Sequence, residues 1–389
     1  MQKQNIDFEK EFDIVVCGAG IAGVAAAVSA AETGKKVALI EKTFTPGGLA
    51  VSGFINIFLP LCDGCGNQVI FGMAERLLKL SLHYSPFKLP PGWGGEPGKK
   101  ISRYAVKFSP GAFALALENL LVNSGVEILY DSLVCDAELQ NHSKINSVSV
   151  ENISGRGKIY ADYFIDATGN AYLAEKLGLK TLSYLNLLSS WNLQSSLSKA
   201  TSASKFNDPE ILVDILKLGE HVRNFDKSYD SYTIINNKFT HEKITNFVIF
   251  GRNQIREYYE AQNNSDSFPL ALANMPHMRL IRTVKGSDEV KNDPSVIPEK
   301  IVGRLPDWRT PGAVYNIPLG ALLSEKVSNL ILAGRIISTE YGNASEIIRV
   351  IPSAAFTGET AGRIAVYSIL KNKQPSELTN ENISELNKL

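Results

Sequence analysis

Residues 13–41 read Asp13-Ile-Val-Val-Cys17-Gly18-Ala-Gly20-Ile-Ala-Gly23-Val-Ala-Ala-Ala-Val-Ser-Ala-Ala-Glu-Thr-Gly34-Lys-Lys36-Val-Ala-Leu-Ile40-Glu41. The β-branched run up to Cys17 is the pattern of a buried parallel strand. Gly18, Gly20 and Gly23 then fall in the G-x-G-x-x-G spacing. Gly18 permits a sharp turn, Gly20 lets backbone approach a pyrophosphate without a Cβ between them, and Gly23 lets the helix lie on the strand. An alanine-rich helix follows and stops at Gly34, a natural residue just past a helix end. Lys36–Ile40 is a second strand, and Glu41 closes it where an acid accepts hydrogen bonds from an adenosine ribose. A carboxylate there repels a 2′-phosphate, which favours FAD or NAD over NADP.

The same stretch holds eighteen uncharged residues from Ile14 to Ala31, near the lower limit for a membrane span. Its three glycines argue instead for strand, turn and helix. The 389 residues suggest two or three domains, and 44% hydrophobic with 21% charged residues excludes a largely disordered chain. Forty basic residues balance forty acidic ones, which argues against a nucleic-acid or anionic-membrane binder acting through its overall field. Four cysteines are too few for a disulfide scaffold, and no apolar leader opens the chain, so a soluble cytoplasmic protein is expected. No metal-ligand pattern stands out.

Four further features separate FAD from NAD. Pro46-Gly47-Gly48-Leu49 follows the second strand, where an NAD dehydrogenase would begin another helix. Tyr163-Phe-Ile-Asp-Ala167-Thr168-Gly169 is a strand ending in A-T-G, and Asn329-Leu-Ile-Leu-Ala-Gly334-Arg335 reads as a last buried strand ending in glycine. Ile347-Ile-Arg349-Val350-Ile351-Pro352 introduces a small-residue helix through Gly358 and Gly362. With Gly66-Asn-Gln68-Val-Ile-Phe-Gly72-Met-Ala-Glu75 and Asn316-Ile-Pro318, these motifs resemble the FAD-dependent oxidoreductase family, a bacterial branch related to fumarate reductase and glutathione-reductase-type two-domain flavoproteins. The resemblance runs from about Asp13 to Ala365, weakens between Ser183 and Leu270, and departs at Gly334-Arg335, where flavin hydroxylases and disulfide reductases carry Gly-Asp. It implies an α/β fold, a glutathione-reductase-type, Rossmann-like FAD-binding domain with an inserted α+β substrate domain.

On that reading residues 1–50, 105–180 and 324–370 form the FAD domain, and 51–104 and 181–323 the substrate domain. The resemblance implies non-covalent FAD held by Gly18, Gly20, Ile21, Ala22, Gly23, Glu41, Lys42, Gly47, Gly48, Leu49, Val134, Ala167, Thr168, Gly169, Gly334, Arg335, Val350 and Ile351, with Val134 near the adenine. No second G-x-G-x-x-G follows a strand, since Gly92-Trp-Gly-Gly95 lies in a proline-rich loop from Pro86 and Gly155-Arg-Gly157 in a hairpin, so no NAD(P)H domain is expected.

Other segments read as follows. Phe113–Asn123 is a helix, and Ser132–Glu138, Ile145–Glu151 and Lys158–Tyr160 form a three-stranded meander. Pro209–Leu218 and Glu242–Ala261 are helices, and residues 371–389 a solvated polar tail. Met275–Gly286 is the substrate-side candidate: a strand with Arg279, Ile281 and Thr283 on one face, Leu280 and Arg282 on the other. His277 is a general acid or base near neutral pH or a structural donor. Arg282 holds a carboxylate or hydroxyl-bearing substrate or pairs with an interior acid. Arg349, or the helix start after it, stabilises charge on a reduced ring or is a surface arginine. Cys62-Asp-Gly-Cys65 is a redox pair or a D-G turn flanked by cysteines, and the turn is favoured.

The expected activity is hydride transfer between a small organic molecule and flavin N5, with an electron donor or acceptor that the sequence does not identify. The alternatives are a flavin-binding protein without turnover, regulatory or in assembly, and a flavin-dependent modifying enzyme.

Overall fold

The computed structural model describes residues 5–90, 105–187, 191–218, 240–262, 266–386 and 388–389. Strand β1 (Phe8–Cys17) is exposed where it carries Glu9, Lys10 and Glu11 and buried over its last four residues. Helix α1 (Ile21–Ala31) is buried at every position, which its alanines allow, and β2 (Val37–Ile40) pairs parallel to β1. The chain then leaves the sheet through β3 (Ile57–Phe58), α2 (Met73–Ser81) and β4 (Val106–Lys107), with β3 and β4 paired antiparallel. It returns through α3 (Pro110–Asn123), whose first turn is capped by the Ser109 hydroxyl accepting from Ala112 N at 3.4 Å. Strand β5 (Glu127–Leu129) pairs parallel with β2, and β6 (Leu133–Gln140), β7 (Lys144–Asn152) and β8 (Gly155–Asp166) give the sheet order β5-β2-β1-β8-β7-β6.

Next come α4 (Tyr172–Lys176), β9 (Thr181–Leu187), β10 (Trp191–Ser196), α5 (Leu197–Phe206), β11 (Asp214–Lys217), α6 (His241–Ala261), β12 (Ser267–Leu272), β13 (Met278–Val284), β14 (Ile301–Pro306) and β15 (Val314–Pro318). Strand β16 (Leu330–Leu332) rejoins the main sheet beside β8, before α7 (Asn343–Ile348), α8 (Ile351–Lys371) and α9 (Asn380–Leu386). The result is a mixed α/β structure around a Rossmann-like parallel sheet.

The expected meander is present, but its third strand is not the short Lys158–Tyr160. That segment and the A-T-G strand are one continuous β8. Its first half takes β7 antiparallel, its second half takes β16 parallel, and β1 runs along the other edge from Gly157 to Asp166. Buried Asn329 fills the resulting fork. Its Oδ1 accepts from Ile145 N at 2.8 Å, and its Nδ2 donates to the carbonyls of Ile145 and Asp162, both at 2.9 Å. Backbone groups that neither neighbour can reach are satisfied by that amide.

Helix α8 lies backbone-to-backbone on α1. A Cβ at Gly358 would stand 2.1 Å from Ala22 O, and one at Gly362 2.5 Å from Ala26 O.

Two expectations are corrected, at Pro209–Leu218 and at residues 371–389. Pro209–Leu218 is not a helix: a short 3-10 turn at Pro209–Ile211 precedes β11, which pairs antiparallel with β10 and so overrides local propensity. Within residues 181–323 the described strands fall into the sheets β11-β10-β12, β13-β9 and β14-β15. Residues 371–389 are not a solvated tail, because Leu378, Ile383 and Leu386 are buried and Tyr367 Oη donates to Glu385 at 2.6 Å. Polar spacing masked the apolar face of α9. Of the proline-rich loop from Pro86, residues 91–98, including Gly92-Trp-Gly-Gly95, lie outside the described residues. No described helix is long and apolar enough to cross a membrane.

Candidate functional site

The carboxyl ends of β1, β8 and β16 are bolted together one residue beyond the strands. Ala167 N donates to Cys17 O at 2.9 Å, and Ala333 N to Asp166 O at 3.0 Å. Gly18 therefore turns directly against Ala167-Thr168. It sits at φ +98°, and a Cβ there would meet Ala167 O at 2.8 Å. A Cβ on Gly23 would lie 1.8 Å from Gly18 O. Gly20 is the opposite case: nothing stands within 4 Å of its missing Cβ, and no side chain caps the first turn of α1. The open flank of Gly20 and the uncapped helix start, carrying Ile21 and Ala22, are the features a pyrophosphate needs.

Glu41 is buried beneath this turn. Its Oε2 accepts from Ala19 N at 2.8 Å, and its Oε1 accepts from Thr43 N at 3.0 Å and Thr43 Oγ1 at 2.9 Å. Its carboxylate thus holds the turn in place, a role the spacing argument did not reveal. Lys42 points to solvent, and buried Val134 lies on β6, whose approach is fixed by Ser132 N donating to Glu41 O at 3.1 Å. Gly47 N donates to Ala19 O at 2.7 Å, laying Gly47, Gly48 and half-buried Leu49 against Gly20. On the far side Gly334 N donates to Thr357 Oγ1 of α8 at 3.0 Å, and Val350 and Ile351 start that helix.

Asp166, which no motif singled out as a site, organises the A-T-G turn. Its Oδ1 accepts from Thr168 N at 3.0 Å and Thr168 Oγ1 at 2.7 Å, while Oδ2 accepts from Ala174 N at 3.0 Å and so anchors α4. Burial pushes its pKa up against these bonds, and burial together with Asp166 also pushes the Cys17 thiol up.

The Met275–Gly286 segment, the substrate-side candidate of the sequence, docks on the same loop. Asn274 N and Met275 N both donate to Ser52 O, at 2.9 and 3.1 Å. His277 is 2% exposed and bonds through Nε2 to Gly53 O. A carbonyl only accepts, so the proton is on Nε2, and Nδ1 is a buried acceptor without a partner. Burial, with Arg279 adding to it, lowers the His277 pKa to about 4. Of the roles the sequence left open for His277, the bond to Gly53 O is that of a structural donor, and the lowered proton affinity favours the neutral ring. Trp191 packs on it at 4.7 Å between centroids, and a 40 Å³ cavity opens among Trp191, Phe247, Ile255 and His277.

The clean alternation expected for β13 is broken by irregular pairing with β9 on both sides of Leu280. Arg282 takes the second of its two expected roles: Nη1 lies 2.6 Å from Glu175 Oε2 and 3.2 Å from Asn170 O. Arg349 is no surface residue. It is 11% exposed and pairs with Glu346. Arg335 lies across Gly169, where a Cβ would come within 2.8 Å of its Nη2. Burial, and Arg349 nearby, lower the pKa values of both Arg335 and Arg279 to about 10.

At Cys62–Cys65 the D-G turn is plain. Asp63 Oδ1 accepts from Cys65 N at 2.7 Å and Asn67 N at 3.1 Å, and Gly64 has φ +74°. All four cysteines are free, and no group of metal-ligating side chains occurs among the described residues.

A parallel sheet whose strand ends converge on a bare-backbone turn and an uncapped helix defines a dinucleotide-binding protein. The chain belongs to the FAD dependent oxidoreductase family, which it matches over residues 13–183 and 299–389. It is an oxidoreductase and FAD is its cofactor. It is similar to thioredoxin reductase of Ureaplasma parvum, 34% identical over 74 residues, which are 19% of this chain and about a quarter (24%) of that protein. Among solved structures it is similar to a geranylgeranyl bacteriochlorophyll reductase-like protein of Thermoplasma acidophilum (14% identity, 98% of this chain and 83% of that one, TM-score 0.49). A flavoprotein/dehydrogenase of Cytophaga hutchinsonii is another (16% identity, 97% and 82%, TM-score 0.48).

Proposed function

We propose that the chain holds FAD non-covalently in a glutathione-reductase-type FAD domain and exchanges a hydride between a small organic substrate and flavin N5. The observation that supports this most directly is the loop 47–53. Ala19 of the cradle binds one end through Gly47, while Asn274, Met275 and His277 of the substrate side bind the other through Ser52 and Gly53. One short segment thus couples the nucleotide turn to the substrate strand.

FAD, when bound, supplies the hydride chemistry, and the protein's part is placement and charge. Gly18–Gly23, with Ile21 and Ala22 at the helix start, receive the pyrophosphate. Glu41 faces the ribose, with Lys42 beside it at the surface and Val134 toward the adenine. Gly47–Leu49, Ala167–Gly169, Gly334–Arg335 and Val350–Ile351 border the remainder. Neutral His277 positions the loop and offers an acceptor at Nδ1. Arg282, tied to Glu175, aligns β13, and Arg279 and Arg349 bring positive charge to the substrate side. A cytoplasmic location belongs to the same reading, supported by the four free cysteines.

The test is the visible spectrum of purified protein, followed by a screen of metabolites for anaerobic bleaching. A yellow protein bleached by one small-molecule class is expected. Colourless protein that takes up no added FAD overturns the reading.

A further inference from the structure

We propose that the cavity between α6, Trp191 and the segment 273–277 binds one end of the substrate, a neutral apolar group that carries a hydrogen-bond donor. The proposal rests on the oxidoreductase reading above and adds a substrate class to it.

The cavity measures about 40 Å³, roughly three times the space that one water molecule needs, so it takes a group of a few heavy atoms. Its wall is mostly apolar: Trp191 from β10, Phe247, Val248 and Ile255 from α6, and Pro276. Phe247 and Ile255 share the buried face of α6, and buried Gly251 between them adds no side chain to it. Arg252, Leu272 and Asn274 complete the lining from exposed positions, and they mark the mouth through which the rest of the substrate extends. No carboxylate lines the cavity, so a cationic amine finds no counter-charge there.

His277 is the polar member of the buried wall. Its Nε2 is spent on Gly53 O, which leaves Nδ1 as a buried acceptor with no donor among the described residues. A ligand N–H or O–H satisfies that acceptor, whereas an ether or carbonyl oxygen cannot. Trp191 packs on the imidazole at 4.7 Å, and its cross-strand neighbour Lys217 lies over the indole at 4.6 Å and holds it in place. Asn274, Met275 and His277 bind Ser52 and Gly53, so the wall of the cavity is tied to the loop that reaches the cradle through Gly47.

The experiment titrates the FAD-loaded protein with pyrrole and furan, five-membered rings of similar shape of which only pyrrole donates a hydrogen bond. Ligand NMR line widths give the affinities, and the nitrogen chemical shift of His277 Nδ1 reports the new bond. Pyrrole is expected to saturate, to move the Nδ1 shift, and to bind at least about fivefold tighter than furan. Val248→Phe, which fills the cavity from a half-buried position, is expected to weaken pyrrole at least about tenfold with FAD content unchanged. Glu257→Gln, exposed on α6 and outside the lining, is expected to change nothing. Equal affinity for pyrrole and furan, or no saturable binding by a yellow protein, overturns the proposal while leaving the FAD reading intact. Undiminished pyrrole binding by a yellow Val248→Phe protein places the ligand elsewhere and also overturns it. Colourless wild-type protein that takes up no added FAD defeats the FAD reading instead.

Discussion

The turn at Gly18–Gly23 and the strand at Met278–Val284 serve the same loop, yet they are built in opposite ways. Around the turn the polar groups are matched: Glu41 spends both oxygens on Ala19 and Thr43, and Asp166 spends both on Thr168 and Ala174. Around the strand they are not. His277 Nδ1 is buried without a partner, and so are Arg349 Nε and, on the cradle side of the same seam, Arg335 Nε and Asn170 Oδ1. Unmatched buried groups are expensive, so each of them lowers the stability of the region that holds it. The turn is finished by its own chain except at Gly20.

The largest expected effect tests the one exception. Gly23→Val drives a side chain into the Gly18 carbonyl and is expected to cost more than about 3 kcal/mol, leaving no folded FAD-loaded protein. Gly20→Ala places its methyl in open space at an ordinary φ of −65°, so the apoprotein should keep its unfolding midpoint while FAD retention collapses. Denaturant unfolding together with visible absorbance separates the two. A Gly20→Ala protein that retains its full FAD content would show that the open flank is not the phosphate side.

On the substrate side the sharpest handle is His277. Its folded pKa, about 4, lies below its ordinary 6.5, so the unfolded chain takes up the proton first as pH falls. The stabilisation is complete above about pH 6.5 and is lost toward pH 4, with a ceiling of about 3 kcal/mol. His277→Gln, which can still donate to Gly53, should flatten that slope relative to wild type in urea unfolding at pH 7.5 and 4.5. Identical slopes would mean that the imidazole keeps its ordinary proton affinity in the folded protein.

A smaller loss is expected at the fork. Asn329→Ala removes three hydrogen bonds to buried backbone and should cost about 2 kcal/mol while leaving FAD content unchanged. Loss of flavin there would mean that the split between β7 and β16 is transmitted to the strand ends.

The contrast between the regions also explains what could be read from the chain. The turn was legible because the positive φ of Gly18 and the approach of Gly23 to the Gly18 carbonyl are local demands, although Gly18 also meets Ala167 and Thr168 far along the chain. β8 was misread because its two halves have different neighbours, and only tertiary pairing joins them. Asn329 carries no periodic signal, since its partners are backbone groups distant in sequence, and Asp166, whose partners Thr168 and Ala174 are close by, has no spacing that marks it within a buried strand. Arg335 and Arg349 were visible as motif residues, but the approach of Arg335 to Gly169 and the pairing of Arg349 with Glu346 emerge only from the folded chain. At Pro209–Leu218 the pairing with β10 outweighed helix propensity.

The smallest expected effect falls on Cys62 and Cys65, which lie between the two regions in sequence. The turn that joins them is held by Asp63, whose Oδ1 takes the N–H groups of Cys65 and Asn67 and whose Oδ2 takes the Asn67 amide at 2.9 Å. Neither sulfur contributes to that set, and Cys65 Sγ lies near Gly312 in an exposed position. A Cys62→Ser/Cys65→Ser protein should therefore keep its fold within about 0.5 kcal/mol, its FAD and its rate of substrate bleaching. Removing the Asp63 carboxylate instead, as Asp63→Ala, should loosen the turn and cost about 1–2 kcal/mol. If the double serine variant retains flavin but its reduced flavin can no longer be reoxidised by the physiological partner, the thiols carry electrons. The loop would then join the substrate side as a place where the chain leaves chemistry unfinished.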